Sequence, residues 1–285
     1  MTDFGSLQLT MDGEVATIAL RPLRGVLGAA KGRPGYHGDP HTDLGRALLQ
    51  LRDDPGVRII IITGEQDGDF LSAPPSTIYD TAAGRNRLVD PDGAWNVFMN
   101  GNFSHQLMLE IEKPIIARVN GDAVGYGQSI MLCCDLILAR EDARIADLHM
   151  SMGEVSDRAG NGLAAKFGMV PGDGGGSMIP LFMTPTRAKE YMFLARVLTA
   201  AELAEMGVVN RAVPMDQLDA VVQEYVAALL RRPAHALGWT KRVLNRGVVT
   251  HWNYTADPCA AYEMITFLQN ELAARDAAAR AQAPA

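Results

Sequence analysis

The chain is short of several things, and each shortage narrows what it can be. Only three of its 285 residues are cysteine. Cys133 and Cys134 are adjacent, Cys259 is distant, and no Cys-x-x-Cys spacing exists. That pattern argues against a disulfide framework or a zinc cluster, and the thiols read as core residues. No apolar run approaches the roughly 20 residues of a membrane span. The longest, Ser129 to Ala139, is broken by Asp135. Met1 to Thr10 shows neither the basic start nor the apolar centre of a secretory signal, so a cytoplasmic protein is the expectation. A basic excess is missing too. The formal net charge is −7, which argues against nucleic acid and anionic membrane surfaces as partners. There is no phosphate-binding Gly-x-x-x-x-Gly-Lys, no His-Glu-x-x-His metal motif and no Gly-x-Ser-x-Gly elbow. The glycines at 172 and 174 to 176 are not a dinucleotide fingerprint. No strand leads straight into them and no acidic ribose partner follows at the proper distance.

With 48% hydrophobic and 21% charged residues, what is present is an ordinary globular composition, so disorder is excluded for the bulk of the chain. Leu7 to Leu20 alternates around Asp12-Gly13, a hairpin signal. Arg21 to Pro40 is rich in glycine and proline and reads as loop. Thr42 is placed to cap a helix ended by Pro55-Gly56. Val57 to Thr63 is a β-branched run suited to a strand buried on both faces. Gly64 to Tyr79 reads as loop anchored by Phe70. Weak helix is expected over Asn96 to Ile111, and strands over Ile115 to Asn120, Leu136 to Ala139 and Arg144 to Ala146. Helices are expected at Gln128 to Cys134, from Thr184-Pro185, and from the capping box Thr199 to Glu202. Asp216 to Leu230 carries one apolar stripe, and the remainder reads as helix with an alanine-rich tail. Strand and helix alternate to about residue 200 and helices follow, which defines an α/β protein with a helical C-terminal region.

One segment bears on chemistry. Lys113 to Asp135 takes a buried strand through the glycine turn Gly121 to Gly127 into a helix. Amides at a helix start lack internal partners and sit at the positive end of its dipole. Such amides can stabilise a transient oxyanion. They are equally what a tight strand-to-helix turn requires, and composition alone favours that plainer reading.

The segment closely resembles the hallmark of the crotonase (enoyl-CoA hydratase/isomerase) superfamily. Val57 to Gly64 with Phe70, Gly168 to Gly175, and Ala200 to Asn210 with Val213-Pro214 are similar to that family's motifs in the same order. The resemblance spans roughly Leu7 to Gly247. It implies a spiral of β-β-α units with two near-perpendicular sheets over residues 1–205. Residues 206–285 would be a helical oligomerisation region, giving trimers or dimers of trimers. It also implies acyl-CoA substrates, with coenzyme A as part of the substrate, no separate cofactor and no metal. The shared chemistry is stabilisation of a thioester enolate between two backbone amides.

By position, Tyr126 supplies one donor through its N–H. The second falls near Pro74, which has no N–H, so either Ala73 or Ser76 serves instead or this half of the hole is absent. Phe70, Ser72, Gly125 and Ser129 fall at substrate-binding positions. Typical hydratases have glutamates at the positions of Ser129 and His149. This chain resembles instead a subset with Asp-x-His, here Asp147-Leu-His149, ahead of Gly172-Asp-Gly-Gly175. His149 and Asp173 are then the proton-transfer pair, since imidazole titrates near neutrality and a carboxylate fixes its tautomer. Asp173, expected at the start of a helix, suits the orienting role. Read without the resemblance, His149 is a satisfied buried histidine and Asp173 a helix cap. Residues 150–167 form a link about fifteen residues longer than the family's usual one. Glu154, Asp157 or Arg158 could reach the site from it, or it could be a surface excursion. Arg24, Lys31 and Arg33 lie where CoA users hold the nucleotide, as phosphate contacts or solvated charges.

Three readings follow. The first is an enoyl-CoA hydratase or isomerase, a crotonase-type lyase or isomerase. The second is a CoA-independent hydrolase cleaving a carbon–carbon bond of a cyclic β-diketone, favoured by Pro74 and the His–Asp pair. The third is a non-catalytic crotonase-fold protein.

Overall fold

The computed structural model describes residues 2–21, 40–65, 68–72, 79–80, 85–86, 91–151 and 168–282. Ala73, Pro74, Ser76, Glu154, Asp157, Arg158, Arg24, Lys31 and Arg33 lie outside the described residues.

The chain opens with β1 (Thr2–Asp3), β2 (Leu7–Asp12) and β3 (Val15–Leu20), then α1 (Pro40–Asp53) and β4 (Ile59–Gly64). A two-residue pair, β5 (Tyr79–Asp80) and β6 (Arg85–Asn86), precedes α2 (Pro91–Glu110). Next come β7 (Ile115–Val119), β8 (Ala123–Val124), α3 (Tyr126–Leu132), β9 (Leu136–Arg140) and β10 (Arg144–Ala146). A 3-10 turn at His149–Ser151 ends that stretch. The chain continues with α4 (Gly175–Phe182), α5 (Pro185–Phe193), β11 (Val197–Thr199), α6 (Ala200–Glu205) and β12 (Arg211–Val213). Three helices complete it: α7 (Met215–Leu230), α8 (Ala234–Leu244) and α9 (Arg246–Gln282).

The main sheet has the order β1-β2-β3-β4-β7-β9-β12. β1, β2 and β3 pair antiparallel, and every pairing from β3 through β12 is parallel. All six residues of β4 are buried. Its alternation explains this, because successive side chains face opposite sides. Ile60 and Ile62 enter the large core, while Ile59 and Ile61 meet Leu218, Val222 and Val226 of α7 on the other side. β12 places residues beyond 205 inside this sheet. A second sheet, β11-β10-β8, is smaller.

Several boundaries differ from the sequence reading for local reasons. α1 starts at Pro40, a residue suited to a first turn, rather than at Thr42. α2 is longer than its weak pattern suggests. α3 starts two residues early because Gly125, at φ +59°, takes the cap position. Thr199 and Glu202 form the reciprocal capping box, both bonds present. The alanine-rich tail continues α9 to Gln282.

Candidate active site

The corner between β7 and α3 is built by close backbone approach. Asn120 holds it, accepting from Gly64 N–H at 2.8 Å and Thr63 Oγ1 at 3.1 Å, and donating to the carbonyls of Glu65 and Gly68. Leu71 bridges Ala123 in parallel. A Cβ on Gly127 would stand 2.1 Å from the Leu71 carbonyl oxygen, so only glycine lets these segments meet. Ser72 follows immediately and is half-buried. Phe70 is fully buried in the main core, so its side chain anchors the segment from within.

At the bend itself, Gly125 N–H already donates to the Ala146 carbonyl at 2.9 Å. It holds β8 against β10 instead of reaching toward a ligand. Tyr126 opens α3. Its ring stacks on His41 at 3.8 Å between centroids, and its hydroxyl lies 3.0 Å from Ser104 Oγ. The side chain is thus committed to the interior. His105, fully buried, packs against Tyr126 and edge-on against Trp252. Burial, then the charge of His41, pushes its pKa down to about 3, so it is neutral.

His149 is the centre of an acidic cluster. It stands in the 3-10 turn after β10, and Asp147 is buried two residues earlier. Asp147 Oδ1 accepts His149 Nδ1 at 2.7 Å and His149 N–H at 3.1 Å. Nε2 lies 3.7 Å from Asp173 Oδ2 and 3.3 Å from Glu263 Oε1. The orienting contact on Nδ1 therefore comes from Asp147, and Asp173 faces the opposite nitrogen. Asp173 is not the cap of α4 either. Gly174 takes that position at φ +116° without a side-chain cap bond, and the Asp173 carboxylate turns to Ser129. Ser129 Oγ donates to Asp173 Oδ1 at 3.1 Å, which joins the first turn of α3 to the lead-in of α4.

Charge balance in the cluster is lopsided: three carboxylates surround one imidazole. Burial opposes charge on His149, but Asp147, Asp173 and Glu263 outweigh it and hold its pKa well above the ordinary value. Asp173 is raised, chiefly by burial, with His149 pulling the other way and Asp147 adding to the rise. Glu263 is raised by burial first as well, against the His149 charge. The ligand atoms of Asp147, His149 and Asp173 lie within 4.8 Å of one another.

Sequence reasoning singled out His149, Asp173 and Ser129, and the fold brings these three together. Glu263 went unseen. It sits in an alanine-rich helix with no local motif, and only the packing of α9 on α4 and α2 brings it here. Asp147 was visible inside Asp-x-His, and its two-residue spacing was the available signal for its contact with His149.

The described residues form a mixed α/β scaffold with a largely parallel sheet, glycine-built corners and a buried acid–imidazole cluster. Residues 39–256 match the model of the enoyl-CoA hydratase/isomerase family, and the chain belongs to that family, the crotonase superfamily. It is 31% identical over 241 residues to a carnitinyl-CoA dehydratase of Salmonella enteritidis, covering 84% of this chain and 79% of that one. A crotonyl-CoA hydratase of Syntrophomonas wolfei is 27% identical over 212 residues, covering 74% and 73%. Among solved structures, an enoyl-CoA hydratase/isomerase from Mycobacterium paratuberculosis superposes with a TM-score of 0.73 at 26% identity, covering 92% and 94%. A β-diketone hydrolase from the cyanobacterium Anabaena shares the fold at TM-score 0.73 and 23% identity, covering 92% and 94%. No helix among the described residues is long and apolar enough to cross a membrane.

Proposed function

We propose that this protein acts on an enoyl-CoA thioester, adding or removing water or shifting the double bond. Coenzyme A would arrive as part of the substrate, with no further cofactor. The Tyr126 N–H at the start of α3 is assigned to the thioester oxygen, where negative charge develops. The tyrosine ring and hydroxyl are held inward, so the role falls to the main chain. The N–H of Ala73 is assigned as second donor, with Ser72 next to it in the sequence, and Glu154 is kept as a further candidate on sequence grounds.

The observation that carries this reading is the clamp on His149. One carboxylate fixes Nδ1 at 2.7 Å, while Asp173 faces Nε2 and is tied by Ser129 to the oxyanion turn. Proton transfer and enolate stabilisation are thereby adjacent. The test is turnover of short and medium enoyl-CoA thioesters, followed by loss of conjugated absorbance. His149→Ala and Asp173→Ala are expected to lower kcat/KM about 10²- to 10⁴-fold while the fold stays intact. Near wild-type rates in both variants remove them from the mechanism.

The same clamp favours a second reading, hydrolysis of a cyclic β-diketone, because a carboxylate-held imidazole also suits activation of water against a carbonyl. Diketone turnover with no rise in melting temperature on adding CoA or acyl-CoA would select it. Either reaction would run in a homotrimer or a dimer of trimers. The exposed Trp239, Val243, Leu244, Tyr254, Tyr262 and Ile265 of α8 and α9 support assembly with further copies of this chain. Light scattering on the purified protein tests this, and a monomer at working concentration would overturn it.

A further inference from the structure

Adding water to a double bond requires one group to take a proton and another to give one. Two carboxyl groups approach the same atom, His149 Nε2, from different parts of the fold. Asp173 comes from the lead-in of α4, at 3.7 Å, and Glu263 from the middle of α9, at 3.3 Å. Their surroundings are unequal. Asp173 Oδ1 accepts a hydrogen bond from Ser129, which favours the ionised form. Glu263 is buried, and while His149 Nε2 meets its Oε1, its Oε2 has no hydrogen-bond partner among the described residues. A buried carboxylate oxygen without a donor favours the neutral acid. Two nearby carboxyls with environments that separate their proton affinities form the pattern of an acid and a base.

We propose that Glu263 is the general acid of this site, acting with Asp173 as base across His149. This rests on the hydration reading above. Asp173 accepts a proton from water as the water oxygen bonds to the β-carbon of the enoyl thioester. The double-bond electron pair moves onto the thioester oxygen at the Tyr126 N–H. The enolate then reforms the carbonyl as Glu263 gives its proton to the α-carbon. One water has been added, Asp173 holds a proton and Glu263 is ionised. His149 resets the pair: Nε2–H passes to Glu263, and the proton on Asp173 replaces it. The short Nε2–Oε1 contact is the path for that return, and Asp147 keeps the ring aimed along it.

The groups facing Glu263 are His149, Asp173 and Asp147, with Cys259 one turn earlier on α9. His41 also bears on Asp173. Asp173 governs the acid limb of the pH–rate profile and Glu263 the basic limb. Glu263→Gln, nearly isosteric, is expected to lower kcat on an enoyl-CoA about 10²- to 10⁴-fold and to abolish the basic limb. Glu263→Asp is expected to keep the limb at a reduced rate. In the ligand-free protein, an NMR titration of His149 is expected to shift to lower pH in Glu263→Gln, because the negative charge that Glu263 gains on ionising as pH rises no longer faces Nε2. An active wild type with an unaltered Glu263→Gln rate and profile overturns the proposal alone. An unmoved His149 titration also overturns it, whatever the substrate. A wild type inert toward every enoyl-CoA overturns the hydration reading and this role with it.

Discussion

Lys241→Met tests how the scaffold holds the turn that opens the site. Lys241, on α8, is nearly buried. Its Nζ lies 2.7 Å from Asp135 Oδ2 and donates to the Lys113 carbonyl at 3.2 Å. The same Asp135 oxygen accepts Ile115 N–H at 2.7 Å. One ion pair thus ties α8, the end of the α3 segment and the start of β7. At 2.7 Å the gross attraction is about 6 kcal/mol for an effective dielectric of roughly 20. Removing the ammonium also removes its own desolvation cost, so breaking a buried pair typically loses about 3–5 kcal/mol. Asp135 remains 20% exposed, which puts the expected loss at the lower end, about 3 kcal/mol. Urea unfolding reads this as a lower midpoint at unchanged slope. Sign follows from Asp135: burial raises its carboxyl pKa even with Lys241 present, and more so without it. A carboxyl raised in the folded state supports stability below its ordinary value and loses that support as pH rises through the folded one. The deficit is therefore expected to be small near about pH 4 and to grow toward neutrality. Asp135→Asn added to Lys241→Met keeps an acceptor for Ile115 and removes the stranded charge, so it is expected to recover most of the loss. A single variant within about 1 kcal/mol of wild type, or a double variant no better than the single, refutes the reasoning.

Asp147→Asn removes the largest charge raising the His149 pKa, so an NMR titration is expected to move His149 toward its ordinary value. His149, Asp173 and Glu263 are all raised in the folded state. Stability is thus lost as pH rises through their folded values, and this variant is expected to flatten that dependence in melting curves taken at several pH values. Gly127→Ala drives a Cβ to 2.1 Å from the Leu71 carbonyl oxygen and is expected to cost about 1–3 kcal/mol in urea unfolding. It is also expected to lower turnover, because the shifted segment leads into Ser72; unchanged stability and rate would show that the corner yields freely. Thr199→Ala removes the hydroxyl that accepts Glu202 N–H in the α6 capping box and leaves the Thr199 N–H bond to the Glu202 carboxylate, with an expected loss of about 1 kcal/mol and no change in turnover.

Where residues act through local chemistry, the fold was legible in the sequence. The Asp12-Gly13 hairpin, the apolar run of β4, the Thr199–Glu202 box and the α7 stripe all report geometry set within a few residues. Elements of two or three residues were mostly not legible, β10 at Arg144 to Ala146 being the exception. β8, β11 and β12 exist because a neighbouring strand offers its edge, as Leu138 to Arg140 do for Arg211 to Val213. Three residues carry no period of their own. α3 shows the same limit at a boundary. The apolar pattern starts at Gln128 or later, but the helix starts where Gly125 turns the chain, and no periodicity records a backbone angle.

The site divides along the same line. His149 and Asp147 are two residues apart and could be read as a unit, whereas His149, Asp173 and Glu263 converge from a turn, a helix lead-in and a distant helix. The order of proton affinities is a property of that convergence. Burial raises both Asp173 and Glu263, so burial alone cannot decide which is acid and which is base. The proposed asymmetry rests on the Ser129 hydroxyl, which reaches Asp173, while Glu263 Oε2 has no donor among the described residues. Ser129 stands on the first turn of α3, beside the Tyr126 N–H. The residue proposed to separate acid from base is therefore carried by the helix proposed to hold the oxyanion, and a shift of that helix would disturb both proposed functions at once.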